Sequence, residues 1–202
     1  MSNKVHSKFQ DEKDLVSRLK QGQEAAYRIL IRSYQGQLFS IAYGITMDRE
    51  ESLDIVQEVF LKVHQNIKNF RGDSGLSTWL HRITVNQSLN WQRKWKRRLK
   101  WRHQPLEKEE GGDYPELGDS QENPETLYHK GELEKALQEG LNELPETSRT
   151  VFVLREIEGL SYDEIAEVLN IKKGTVKSRL FLARQKLKER LSEYLNETEE
   201  MP

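Results

Sequence analysis

LSYDEIAEVLNIKKGTVKSRL, running from Leu160 to Leu180, reads as two short helices set across a tight turn. Ser161 is a good N-cap, and Glu164 three residues on can reach back to its amide, closing a capping box that starts the first helix. Ile165, Val168 and Leu169 give that helix an apolar stripe, and Ala166 is small enough for a second helix to cross closely. The turn falls at Asn170 to Gly174. A second helix is predicted from about Thr175, with Val176 and Leu180 inward and Lys177, Ser178, Arg179 and Phe181 outward or along the rim. This is the pattern of a DNA-reading helix-turn-helix, in which one helix enters the major groove and neighbouring cations neutralise phosphates. Lys172, Lys173, Arg184, Lys186 and Lys188 supply such cations.

An ordinary helical hairpin with a solvated basic face would share the capping box. The charge pattern argues against it, because Glu189 is the single acid between Lys172 and Arg190, and a solvated helix usually mixes its signs.

The chain has 202 residues, 35% of them apolar and 32% charged, which suits two small cores better than one large one. Leu, Glu, Lys, Arg, Gln and Ile predominate over Thr, Gly and Pro, so the expected class is all-α. With no cysteine there is neither a disulfide nor a thiolate metal site, and no apolar run approaches a membrane span or signal-peptide core. A cytoplasmic protein without membrane insertion is expected.

The net charge of −1 conceals strong segregation. From Arg71 to His103 the charged residues are Arg71, Arg82, Arg93, Lys94, Lys96, Arg97, Arg98, Lys100 and Arg102 against Asp73 alone. Beyond Pro105 the balance reverses at Glu107, Glu109, Glu110, Asp113, Glu116, Asp119, Glu122 and Glu125, in a stretch rich in Gly and Pro. That composition reads as a disordered acidic linker. Two cationic modules thus flank an anionic tether, as two contacts on one nucleic acid would require.

The N-terminal module shows helical periodicity from about Asp11. A first helix carries Leu15, Val16, Leu19, Ala26, Ile29, Leu30 and Tyr34, with an interruption near Gly22, and Gln37 to Thr46 supplies a second. Asp48 offers the N-cap of a third helix running to about Asn69 with Ile55, Val56, Val59, Phe60, Val63 and Ile67 buried. The loop Phe70 to Ser77 leads to a fourth helix containing Trp79, Leu80, Ile83, Val85 and Leu89. At its end Trp91, Trp95 and Trp101 alternate with cations, a mixture suited to unpaired nucleic acid, where bases stack on rings for roughly 1 to 3 kcal/mol each.

Four segments in order, DIVQEVFLKVH (Asp54 to His64), FRGDSGLSTWLHRITVN (Phe70 to Asn86), LPETSRTVFVLREIEGLSYDEIAEVL (Leu144 to Leu169) and GTVKSRLFLARQKL (Gly174 to Leu187), resemble the extracytoplasmic-function (group IV) sigma factors of bacterial RNA polymerase, of the sigma-E-like kind. The resemblance implies sigma region 2 over residues 11–102, an acidic flexible linker over 103–130 and region 4 over 131–195. It implies core RNA polymerase (clamp and flap) and promoter DNA as partners, and an anti-sigma factor that holds the free, stress-responsive protein.

Carried over by residue, the resemblance assigns core-polymerase binding to Asp54, Gln57, Glu58 and Phe60. It assigns minus 10 DNA to Phe70, Trp79, Arg82, Asn86, Arg93 and Lys94, with Asn86 reading an extruded base through its amide donor and acceptor. Minus 35 DNA falls to Lys173, Thr175, Lys177, Ser178, Arg179, Phe181 and Arg184. Two positions depart from relatives: Leu182 stands where some carry Arg, and Lys177 where Arg is common, so the bidentate fork that reads guanine is missing there. No catalytic residue, metal or cofactor is expected, since the acids and the five histidines lack metal-ligand spacing. The competing reading is a helix-turn-helix repressor or activator that acts without replacing sigma.

Overall fold

The computed structural model describes residues 12–102 and 135–199, and among them every regular element is helical. The first module comprises α1 (residues 12–20), α2 (Glu24–Thr46), α3 (Arg49–Asn66) and α4 (Leu76–Arg102). The second comprises α5 (residues 135–143), α6 (Glu146–Phe152), a π-helical turn at Val153–Ile157, α7 (Tyr162–Leu169) and α8 (Lys173–Glu199). The acidic segment 103–130 lies outside the described residues.

The interruption near Gly22 is present, with that residue at φ +73°, a left-handed conformation open to glycine. The break expected before Gln37 is absent, because α2 runs unbroken through Gly36. Leu30, Leu38, Ile41, Ala42 and Ile45 are all buried along it, and their packing outweighs the roughly 1 kcal/mol that an interior glycine costs a helix. Met47 ends α2 at φ 58°, its N–H bonded to Tyr43 O. Asp48 then caps α3, accepting from Glu51 N at 3.0 Å. The helix stops at Asn66 and finishes as a 3-10 turn over Ile67–Asn69. The cap of α4 comes from far away, Glu12 Oε1 accepting from Leu76 N at 2.6 Å.

Leu19, Leu30, Leu38, Val59, Val63 and Leu80 anchor the first core. In the second module both halves of the capping box form, Glu164 N to Ser161 Oγ at 3.2 Å and Ser161 N to Glu164 Oε2 at 2.7 Å. Asn170 closes α7 at φ 52°, and α8 begins at Lys173, two residues earlier than the sequence suggests.

The modules are not held by a tether alone. Ile41 and Ile45 of α2 and Val85 of α4 belong to one apolar cluster with Val151, Leu154, Leu160, Ile165 and Val168. Burying side chains of this size is worth about 1.5 to 3 kcal/mol each. Helix α2 comes so near the π-turn that a Cβ on Gly44 would meet the two Val153 methyl carbons at 2.7 and 2.9 Å.

A candidate nucleic-acid interface

The helical repeat puts Trp79, Arg82, Asn86 and Arg93 on one stripe of α4. Asn86 and Arg93 are exposed, and Trp79 and Arg82 half-buried. Phe70, at the start of the loop preceding α4, tilts against Trp79 with ring centroids 4.9 Å apart, and Lys20 Nζ fixes its carbonyl at 2.7 Å. The structure therefore brings together Phe70, Trp79, Arg82, Asn86 and Arg93 as one strip of rings, amide and cations. Lys94 lies on its edge, exposed. Arg93 Nη1 donates to Asn90 Oδ1 at 3.1 Å, which adds Asn90 to the strip.

The tryptophans at the end of the tract serve differently. Trp91 packs against the first core and Trp95 stacks on it at 5.7 Å and 13°. By helical spacing both lie on the opposite side of α4 from Asn86. Sequence alternation cannot separate those faces when all the residues are aromatic or basic.

Helix α3 divides the four residues expected to bind core polymerase. Gln57 and Phe60 line a groove of about 770 Å³ with Tyr27, Ile31, Phe39 and Leu53. Glu58 faces α4 instead and accepts from Gln87 Nε2 at 2.6 Å. Asp54 is exposed between the two sides. Ile31, Leu53 and Leu61 are exposed large apolar residues around that groove. The sequence reading missed them, although their positions off the buried stripe of their helices were visible.

On α8, Val176, Leu180, Ala183 and Leu187 are buried, and the repeat then sets Ser178, Phe181, Leu182 and Gln185 along the outward crest. Phe181 is 68% and Leu182 53% exposed. Lys177 flanks the crest on one side, exposed, and Arg179 on the other, half-buried, with Thr175 half-buried in the first turn. Lys173 and Arg184 do not point freely outward, since Lys173 Nζ pairs with Asp163 Oδ2 at 2.8 Å and Arg184 Nη2 with Glu156 Oε1 at 2.6 Å. Sequence reasoning omitted Gln185, although its spacing from Ser178 and Phe181 marks the face.

Two basic side chains of α4 are engaged from the second module. Arg82 Nη2 donates to Glu167 O at 2.8 Å, and Lys96 is paired with Glu146. A second groove, about 880 Å³, gathers Lys62, Gln87, Asn90, Arg93, Lys94 and Arg97 with Glu58 and Glu146. His81, 4% exposed, shares the α4 face of Val85, and burial lowers its pKa from 6.5 to about 4 against an opposing pull from Glu164 of α7. Glu158 moves the other way, its carboxyl raised by burial despite hydrogen bonds with Ser40 and Gln37 of α2.

Residues 30–98 match Sigma-70 region 2, and residues 134–187 match Sigma-70, region 4. The two matches, one on each helical module, define a two-module, DNA-binding initiation factor. The chain belongs to the extracytoplasmic-function sigma factors of RNA polymerase. It is 35% identical over 177 residues to the ECF RNA polymerase sigma-E factor of Haemophilus influenzae, covering 88% of this chain and 93% of the relative. It is 34% identical over 188 residues to the RNA polymerase sigma-H factor of Pseudomonas aeruginosa, covering 93% and 97%. Two solved structures share the fold at 22% identity. They are CnrH in complex with the cytosolic domain of CnrY, TM-score 0.64 over 90% of this chain and 97% of that one, and RpoE in complex with the anti-sigma factor NepR from Bartonella quintana, TM-score 0.67 over 82% and 96%. As a sigma factor the chain binds core RNA polymerase and directs promoter-specific initiation.

Proposed function

We propose that the three faces divide the work of initiation among named residues. Asp54, Gln57, Glu58 and Phe60 dock on the polymerase clamp. Phe70, Trp79, Arg82, Asn86, Arg93 and Lys94 take the unpaired minus 10 strand. Lys173, Thr175, Lys177, Ser178, Arg179, Phe181 and Arg184 meet minus 35 duplex DNA, with Lys173 and Arg184 released from Asp163 and Glu156 as phosphate partners. The observation that carries this reading is the α4 strip, where rings, an exposed amide and cations share one helical face. Stacking, edge hydrogen bonds and phosphate contacts are the three interactions an extruded base needs.

The part played is positioning and strand capture in the cytoplasm, without catalysis by this chain. Segment 103–130 joins the modules, and about 28 residues extended reach on the order of 90 to 100 Å. The relatives' complexes with CnrY and NepR support an anti-sigma partner for this chain too. The α2–α3 groove, rimmed by exposed Leu53 and Leu61, has the form that accepts an amphipathic helix.

In vitro transcription with core polymerase on a genomic DNA library tests the reading. Core-dependent initiation at one shared bipartite motif is expected. Tight binding to duplex promoters without core would overturn it. Asp54→Ala with Glu58→Ala is expected to lower competition against another sigma factor for limiting core, while leaving promoter preference unchanged.

A further inference from the structure

Phe181 and Leu182 are 68% and 53% exposed on the crest of α8, while the core beneath that helix is filled from its other side by Val176, Leu180, Ala183 and Leu187. An exposed leucine on its own carries no message. This pair is set apart by its surroundings. Lys177 lies one turn before Phe181 and Lys186 one turn after Leu182, both exposed, and Glu189 is the single acid between Lys172 and Arg190. An apolar ridge fenced by cations fits a surface with phosphates at its rims and an apolar group on its floor. The major groove is such a surface, and that apolar group is the 5-methyl of thymine.

The neighbours of Leu182 narrow the reading. Helical repeat sets it in a row with Ser178 one turn before and Lys186 one turn after. Ser178 Oγ donates to Thr175 O at 3.1 Å, so its hydroxyl proton is spent within the helix. At the middle of that row the group offered to a base is hydrocarbon alone. Hydrocarbon gains by covering a methyl group, and loses by covering an amino or carbonyl edge that is then left without a partner.

We infer that Leu182 is a specificity-determining residue that reads a thymine through its 5-methyl group, so that one minus 35 position of this chain's promoters selects thymine by apolar contact. The inference rests on α8 facing minus 35 duplex DNA. It adds the base chemistry that one side chain of that helix selects.

The minus 35 sequence that holoenzyme selects from a randomised library supplies the test. Each thymine in turn is replaced by deoxyuridine, a change that removes one methyl group and no hydrogen bond. Holoenzyme binding is expected to fall about fourfold at one position, the worth of one buried methyl group. In Leu182→Ala the thymine and uracil duplexes should bind equally at that position, while Leu182→Met should keep the difference. Phe181→Ala should keep it as well, since a different side chain is shortened. Leu182 lies outside the core, so helix content by circular dichroism should be the same in every variant.

A selected element without thymine would overturn the proposal, as would equal binding of thymine and uracil duplexes by the parent at every position. So would a loss that Leu182→Ala leaves in place. A fall in affinity of Leu182→Ala for core polymerase, with the thymine effect unchanged, would overturn it too and give the ridge to a protein partner. Holoenzyme binding that is indifferent to scrambling the whole minus 35 element would instead overturn the reading of α8 as the helix that faces duplex DNA.

Discussion

Arg82 and Glu167 stand 85 positions apart in the chain, yet the Arg82 guanidinium donates through Nη2 to the Glu167 main-chain carbonyl at 2.8 Å. Glu167 lies in the last turn of α7, where carbonyls lack intrahelical partners and carry the negative end of the helix dipole. Its oxygen also accepts from Asn170 N at 3.3 Å. A cation there completes the helix end, and the same cation belongs to the α4 strip proposed to take the minus 10 strand.

Arg82→Ala is expected to lower open-complex formation by about 10- to 100-fold, the worth of one charged hydrogen bond. Affinity for core polymerase should not move. Titration of holoenzyme with core and heparin-resistant complex counts on the same promoter separate the two effects.

Asn86→Ala removes an exposed amide from the middle of the strip. Loss of a bidentate base contact costs about 1 to 3 kcal/mol, so permanganate reactivity at the minus 10 element should drop while core binding holds. Unchanged reactivity would take Asn86 out of base capture.

His81 should make closure, the packing of the second module on α2 and α4, sensitive to acid. Its pKa is near 4 in the closed chain against an ordinary 6.5, because burial penalises the charged ring. Between those values the open form binds more protons, so closure is strongest above 6.5 and weakens as pH falls, by at most about tenfold per unit. Glu158, raised by burial, works in the opposite sense, since the closed form holds its proton more tightly. Energy transfer between labels on the two modules should fall from about pH 7 to about pH 5.5 in the parent. In His81→Leu that fall should vanish.

Leu182 is 53% exposed on the crest of α8, where it offers no hydrogen bond to a base. Leu182→Arg is expected to add a guanine preference at one minus 35 position, worth about 1 to 3 kcal/mol. Selection from a randomised minus 35 library by holoenzyme reads the change directly.

Ser161→Ala deletes the acceptor for Glu164 N. A lost N-cap costs about 1 kcal/mol, so the melting temperature should fall with promoter preference intact. Calorimetry of the full chain gives the shift.

Much of the architecture was legible because its signals are local. The capping box at Ser161 and Glu164, the Asp48 cap and the inward Val176 and Leu180 follow from spacing within one or two turns. The α4 strip was legible in part: helical repeat alone groups Trp79, Asn86 and Arg93, whereas the inward turn of Trp91 depends on what lies beneath it. The break expected before Gln37 did not occur, because burial along all of α2 outweighed the local weakness at Gly36. Gly44 carried a readable sign, an interior helix glycine with no turn to make, but its partner Val153 did not.

By itself the sequence determined the helical class, the two cationic modules on either side of an acidic segment, and the helix-turn-helix at Leu160 to Leu180, since periodicity, capping and charge are properties of neighbouring residues. Only the tertiary structure decided that Ile41, Ile45 and Val85 bury themselves against Val151, Leu154 and Ile165. It also decided that Arg82 and Lys96 are taken by Glu167 and Glu146. Apolar burial has no direction along the chain, so which exposed faces find each other is settled by shape and proximity in three dimensions.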